Sequence, residues 1–197
     1  MIVIGVTGKY CAGKDTVTQL LVAEGYHEIN VDRLGHVVLD EQRSAIRNEF
    51  GDQVIGPDGA IDRGPLAELV FARRDRLRQL ETIVHPAMAH MVLDQISELK
   101  SKHPRSPGIV VNAAVLFRMA LDHYCDAVLY VRAPLLARIR RAAARDGSSL
   151  FTTLQRLRSQ GDVDPQFSTS NADICNVQND GSVDGLRGQI LRFLRRS

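Results

Sequence analysis

Apolar positions at the start of the chain run almost unbroken through Ile2, Val3, Ile4 and Val6, then change period, with Val17, Leu20 and Leu21 at three- and four-residue spacing. The first pattern reads as a strand buried on both faces, the second as the inner stripe of a helix from about Lys14 to Glu24. Gly25 ends that helix as a C-terminal cap. Tyr26 to Val31 reads as a second strand closed by Asp32, with a short helix after it. Gly56-Pro57-Asp58-Gly59 is a turn signal. From Pro65 to about Lys100 the apolar residues keep helical spacing, and His85-Pro86 predicts a break into at least two helices. Ile109 to Asn112 and Ala127 to Val131 do not alternate in polarity, so they read as doubly buried strands. Leu135 to Arg145 reads as a helix, and the polar break from Asp146 to Ser149 leads to another from about Leu150 to Gln160. Ile174 to Val177 is the last strand, Asn179 to Ser182 a turn, and Leu186, Ile190, Leu191 and Leu194 mark a closing helix. Strands alternating with helices predict an α/β fold with a parallel, doubly wound sheet. Ligands bind such sheets beyond the carboxyl ends of the strands, where Asp32 and Asn112 are read to lie.

The junction of the first strand and helix carries the chemistry. Gly8, Gly13 and Lys14 fit G-x-x-x-x-G-K, in the strand–loop–helix context a phosphate-binding P-loop needs. Glycines let the backbone N–H groups converge on one anion, and the helix N-terminus adds its unpaired N–H groups and dipole. Lys14 supplies a charge for the outer phosphates. After the lysine, Ser or Thr ordinarily ligates magnesium; here Asp15 stands there, followed by Thr16, and either residue is a candidate metal ligand. Asp32 is a candidate general base, worth on the order of 10²–10⁴ in rate, and equally a candidate helix cap. Asp62-Arg63 and His85 are open between structural and functional roles. Arg138, Arg141 and Arg145 share one helix face, which is either a solvated face or a charged surface that closes over phosphate.

The chain has 197 residues, the size of one domain with subdomains, and a formal net charge of +2, so charge implies no nucleic-acid partner. Its basic residues are mostly arginine, which suits bidentate phosphate contacts, but a high-GC genome is the simpler source of the overall count, so only particular arginines carry an argument. Cys11, Cys125 and Cys175 are widely spaced and suit a reducing compartment. Met1 leads straight into the first strand and no apolar run approaches membrane length, so a cytoplasmic protein without a membrane partner is expected.

The motifs together resemble those of the dephospho-coenzyme A kinase family, along nearly the whole chain. After the P-loop, Asn30-Val31-Asp32-Arg33-Leu34-Gly35-His36 is similar to the family's D-x-D-x-x-A-H. Phe50-Gly51 and the run from Gly59 to Leu66 resemble F-G…G-x-x-D-R-x-x-L, and Val70-Phe71, Leu80-Glu81 and His85-Pro86 resemble V-F…L-E-x-x-x-H-P. The run from Arg141 to Asp146 and that from Arg156 to Gln160 look like the family's lid, and Ala172-Asp173 with Asn179 to Ser182 like its A-D…N-x-G. The D-R-x-x-L and H-P pair at this spacing is the specific part; the P-loop is widely shared.

The resemblance implies a P-loop NTPase fold with a five-stranded parallel sheet. It implies a single kinase domain, with a core over 1–60, 105–137 and 161–197, a helical substrate region over 61–104 and a lid over 138–160. It implies transfer of the γ-phosphate of ATP, with Mg²⁺, to the ribose 3′-hydroxyl of dephospho-coenzyme A. Asp32, Lys14 and Arg141 would be catalytic. ATP would lie on Gly8, Lys9, Tyr10, Cys11, Ala12, Gly13, Lys14, Asp15 and Thr16, with Arg141 and Arg145 on phosphates and Asn179 near the adenine. Asp32, His36, Arg63 and His85 would meet the acceptor. The molecule would be a monomer or weak homo-oligomer.

Departures from the pattern mark a divergent branch. Asn30 replaces the first aspartate of D-x-D, and Asn112 to Arg118 stands where the family has D-x-P-L-L-F-E. Lys9 and Tyr10 replace a small pair, and Asp15 replaces Ser. The G-K-D-T loop also resembles phage-type deoxynucleoside monophosphate kinases and P-loop phosphomevalonate kinases, which lack the D-R and H-P pairing. A nucleotide-binding regulatory protein without turnover is the reading from another class, and it has no need of Asp32.

Overall fold

The computed structural model describes residues 1–146, 170 and 172–195, except the side chains of 145 and 146. The chain divides into two compact units: Met1–Asn30 with Glu98–Ser197, and Val31–Ser97.

The first unit is the sheet. Its strands are β1 (Ile2–Gly8), β2 (His27–Asn30), β3 (Gly108–Asn112), β4 (Ala127–Arg132) and β5 (Asp173–Gln178). The order is β2-β3-β1-β4-β5 and every pairing is parallel. The central β1 registers Val6 with Asn112 and Gly8 with Val131, so the loop after β1 emerges between the carboxyl ends of β3 and β4. One face is sealed by α1 (Lys14–Ala23) and the closing helix, which place Val17, Leu21, Leu186, Ile190 and Phe193 against Ile4, Val6, Leu129 and Val131. β1, β3 and β4 are buried almost throughout, which is why their sequences do not alternate.

The second unit is helical: α2 (Val31–Glu41), α3 (Arg43–Phe50), α4 (Arg63–Ala72) and most of α5 (Arg74–Lys102). Arg43 Nη1 donates to the Gly59 carbonyl at 3.0 Å, tying the Gly56–Gly59 turn to α3. In the sheet unit α6 (Leu135–Asp146) follows β4 and α7 (Val183–Leu194) closes the chain, capped by the Ser182 hydroxyl.

Two boundaries differ from the sequence expectation. β2 ends at Asn30, and Val31 already starts α2, so Asp32 sits in a first helical turn rather than closing a strand or capping a helix. A carboxylate there is favoured by the helix dipole. The helical region breaks at Arg73, with extended φ of −142°, and not at His85-Pro86; Pro86 lies inside the 29-residue α5. Arg73 grips Asp75 with two hydrogen bonds of 3.2 and 2.8 Å, fixing the new start, while Val84, Met88, Val92 and Ile96 keep the buried stripe continuous past the proline. The helical unit spans Val31–Ser97. Most of the expected lid, 147–160, and with it the helix from Leu150 to Gln160, lies outside the described residues.

Candidate nucleotide and phosphate site

The loop from Gly8 to Lys14 has the backbone its glycines demand. A Cβ at Gly8 would strike the Val131 carbonyl oxygen, so only glycine lets β1 and β4 run this close. Gly13 has φ of +99°, and the space of its missing Cβ is taken by the amide of Asn179. Between them, Ala12 N–H bonds to the Lys9 carbonyl at 2.9 Å, and Cys11 takes a left-handed φ of 56°. α1 then opens at Lys14 with no side-chain cap, which leaves its first N–H groups aimed at the loop.

Two polar networks hold this loop. On the β3 side the hub is Asn112, only 1% exposed at the end of its strand. It accepts from Lys14 Nζ at 3.5 Å and donates to Asp15 Oδ1 at 3.1 Å and Glu28 Oε1 at 3.2 Å. The lysine and the carboxylate beside it are thus oriented by one buried amide.

On the other side, α6 and the residue after β5 bind the outer carbonyls of the loop. Arg138 Nε donates to the Tyr10 carbonyl at 2.8 Å. Arg141 Nη1 reaches the carbonyls of Ala12 at 3.2 Å and Cys11 at 3.5 Å, and its Nη2 donates to Asn179 Oδ1 at 3.0 Å. Asn179 in turn donates to the Ala12 carbonyl at 2.9 Å. Its carbonyls are held from outside, and the loop keeps the compact turn that backbone anion sites use.

The structure therefore brings together Gly8 to Thr16, Arg141 and Asn179 from the sequence candidates. Arg145 lies in α6, but its side chain is outside the described residues. Asp32, His36, Arg63 and His85 belong to the helical unit, where Asp32, His36 and Arg63 are exposed and His85 is half-buried. Asp62 caps α4 by accepting from Gly64 N–H at 3.0 Å, which gives that half of the Asp62-Arg63 pair a structural role. Sequence reasoning placed Asn112 at the right strand end without its hub role, and it left Arg138 undecided between solvent and phosphate. The i, i+3 spacing of Arg138 and Arg141 was the available signal; their targets, backbone carbonyls, leave no mark in sequence.

The family model for dephospho-CoA kinase matches residues 2–184. The chain belongs to the dephospho-CoA kinase family. A dephospho-CoA kinase of Borreliella burgdorferi is 31% identical over 193 residues, 96% of this chain and 91% of that one. One from Thermus thermophilus is 32% identical over 185 residues, covering 94% and 86%. A crystal structure of a Thermus thermophilus protein superimposes with a TM-score of 0.79 at 31% identity, over 99% of this chain and 97% of that one. The fold is that of the P-loop kinases and the chain is a kinase, with ATP the phosphate donor its family implies. Among the described residues no helix is long and apolar enough to cross a membrane.

Proposed function

We propose that this dephospho-CoA kinase carries out its family's reaction, phosphorylation of the ribose 3′-hydroxyl of dephospho-coenzyme A to give coenzyme A, with the two networks at the P-loop as its working parts. The observation that carries the reading is the convergence of Lys14, Asn112 and Asp15 on one side of the loop and Arg138, Arg141 and Asn179 on the other.

The β- and γ-phosphates of ATP lie on the N–H groups of Gly8 to Thr16, with Lys14 on the outer oxygens. The γ-phosphoryl group leaves the β-oxygen as the acceptor hydroxyl bonds to phosphorus, ADP departs, and the hydroxyl proton passes to Asp32. Asp32 is assigned this role from its motif and its place directly after β2. Transfer of this kind is catalysed by positioning and fixed charge, so the arginines carry much of the work. On this reading Arg141 exchanges its loop carbonyls for a phosphate oxygen, and Arg145 joins it from the same helix. Asn179 borders the adenine. His36, from α2, and Arg63 and His85, from the helical region over 61–104, take the acceptor, with a lid over 138–160.

Asp15 and Thr16 offer a carboxylate and a hydroxyl, hard oxygen donors that fit Mg²⁺, which is ordinarily held by one or two protein oxygens plus phosphates. When bound, the ion neutralises charge on the β- and γ-oxygens. Asn112 orients the Asp15 carboxylate for this role. A cytoplasmic monomer or weak homo-oligomer goes with this reading.

ADP release tests it. With magnesium-ATP alone the rate stays low, because the catalytic arrangement is completed only when the acceptor binds, and closure then excludes water. Dephospho-coenzyme A raises it by orders of magnitude. Fast acceptor-independent hydrolysis would contradict the proposal.

A further inference from the structure

At the carboxyl ends of β2 and β3 the sheet carries two amides as register partners, Asn30 and Asn112. Both stand where the resembled sequence pattern has an aspartate. The carboxylates come from other positions, Asp15 from the first turn of α1 and Glu28 from β2. Asn112 Nδ2 donates to Asp15 Oδ1 at 3.1 Å and to Glu28 Oε1 at 3.2 Å, and Asn30 Nδ2 donates to the same Glu28 oxygen at 3.2 Å. Asn112 Oδ1 accepts from Lys14 Nζ at 3.5 Å. All five residues belong to the sheet unit.

Carboxylates only accept and an ammonium only donates, so the orientation of the Asn112 amide is forced. An aspartate at 112 would set oxygen against oxygen at both carboxylates, on a residue only 1% exposed, where little water screens like charges. A neutral amide at the strand end is therefore what a carboxylate at 15 demands, and a carboxylate at the strand end suits a neutral residue at 15. P-loop enzymes ordinarily hold Mg²⁺ with a hydroxyl after the loop lysine and an aspartate from a strand. In this chain the two positions, in direct contact, have traded character.

We propose that Asp15 and Asn112 are an exchanged pair. Resting on the magnesium-nucleotide site proposed above, Asp15 supplies the carboxylate that serves the metal, and Asn112 is its positioning residue, filling the neutral place at the end of β3.

The test uses the full chain and reads ADP binding by calorimetry, with and without magnesium, together with the melting temperature of the metal-free chain. Magnesium is expected to tighten ADP binding to the native chain. Asp15→Ser and Asn112→Ala each reduce that gain about tenfold or more, the scale of losing a group that holds or orients a metal ligand. Asn112→Asp alone lowers the metal-free melting temperature, because three carboxylates then meet. Adding Asn112→Asp to Asp15→Ser brings the magnesium gain back to within about threefold of native and removes most of the melting loss, a coupling that independent sites do not show. A merely structural amide would give no such recovery. Asp15→Asn with Asn112→Asp exchanges the two groups at constant composition and keeps the test valid if the serine version misfolds. An undiminished gain in Asp15→Ser overturns the role of Asp15 and leaves Thr16 as the ligand. Double variants no better than Asp15→Ser overturn the exchange, and so does a native chain without a magnesium gain. ADP binding needs no acceptor, so recovery in a chain that does not phosphorylate dephospho-coenzyme A would leave the pair standing and remove the reaction.

Discussion

Lys14 and Asp15 share one buried organiser, Asn112, and the consequences are separable by substitution. Lys14→Met removes the cation proposed to meet the transferring phosphate and is expected to lower kcat by about 10²–10³, the scale of losing one preorganised charge donor. Asp32→Asn keeps the shape and removes the proposed base. Its expected loss is about 10²–10⁴ in kcat with ATP affinity unchanged; near-normal turnover would refute the assignment. Asn179→Ala breaks the bonds to the Ala12 carbonyl and to Arg141 together. Arg141 Nη1 still reaches the Ala12 carbonyl, so the loss is that of two hydrogen bonds worth about 0.5–1.5 kcal/mol each, and the KM for ATP should rise about tenfold. An unchanged KM would mean the loop holds its shape without Asn179.

Among the elements, the P-loop was legible because its requirements are local: a β-branched strand, two glycines at fixed spacing and a helical stripe. The end of β2 was less so, because Val31 suits strand and helix alike and only the backbone at Asn30 decides. The break near Pro86 was misplaced because proline marks a weak point in a helix without dictating that it open. In α5 the buried stripe from Val84 to Ile96 outweighs the lost hydrogen bond, and the chain opens instead at Arg73. The role of Asp62 was open in sequence and is a cap in the structure. Asp62→Ala should therefore cost about 1 kcal/mol of stability, read from the urea midpoint, and Asp62→Asn much less. An equal loss in both would point to a charge effect in place of the cap.

For the whole molecule, the alternation of strands and helices gave a parallel sheet, and family resemblance gave its five strands. What the sequence could not show is where side chains from distant strands meet. Arg141, Asn179 and Ala12 come together only through the β1-β4-β5 order. Cys125 lies under that sheet, and burial, helped by the Asp122 and Asp126 carboxylates, pushes its thiol up to about 12. Cys125 should resist alkylation in the folded protein at pH 8, while the half-buried Cys11 and Cys175 react. A folded pKa above the unfolded value of about 8.5 makes its contribution complete below that pH. It declines as pH rises toward 12, so alkaline denaturation should ease in Cys125→Ala relative to its own neutral-pH stability.

The most direct measurement is the mass of the product when magnesium-ATP is offered with dephospho-coenzyme A, deoxynucleoside monophosphates and phosphomevalonate in parallel. The expected result is phosphorylation of dephospho-coenzyme A alone, giving coenzyme A. Phosphorylation of another acceptor in its place, or ATP binding with no product from any of them, would contradict the account.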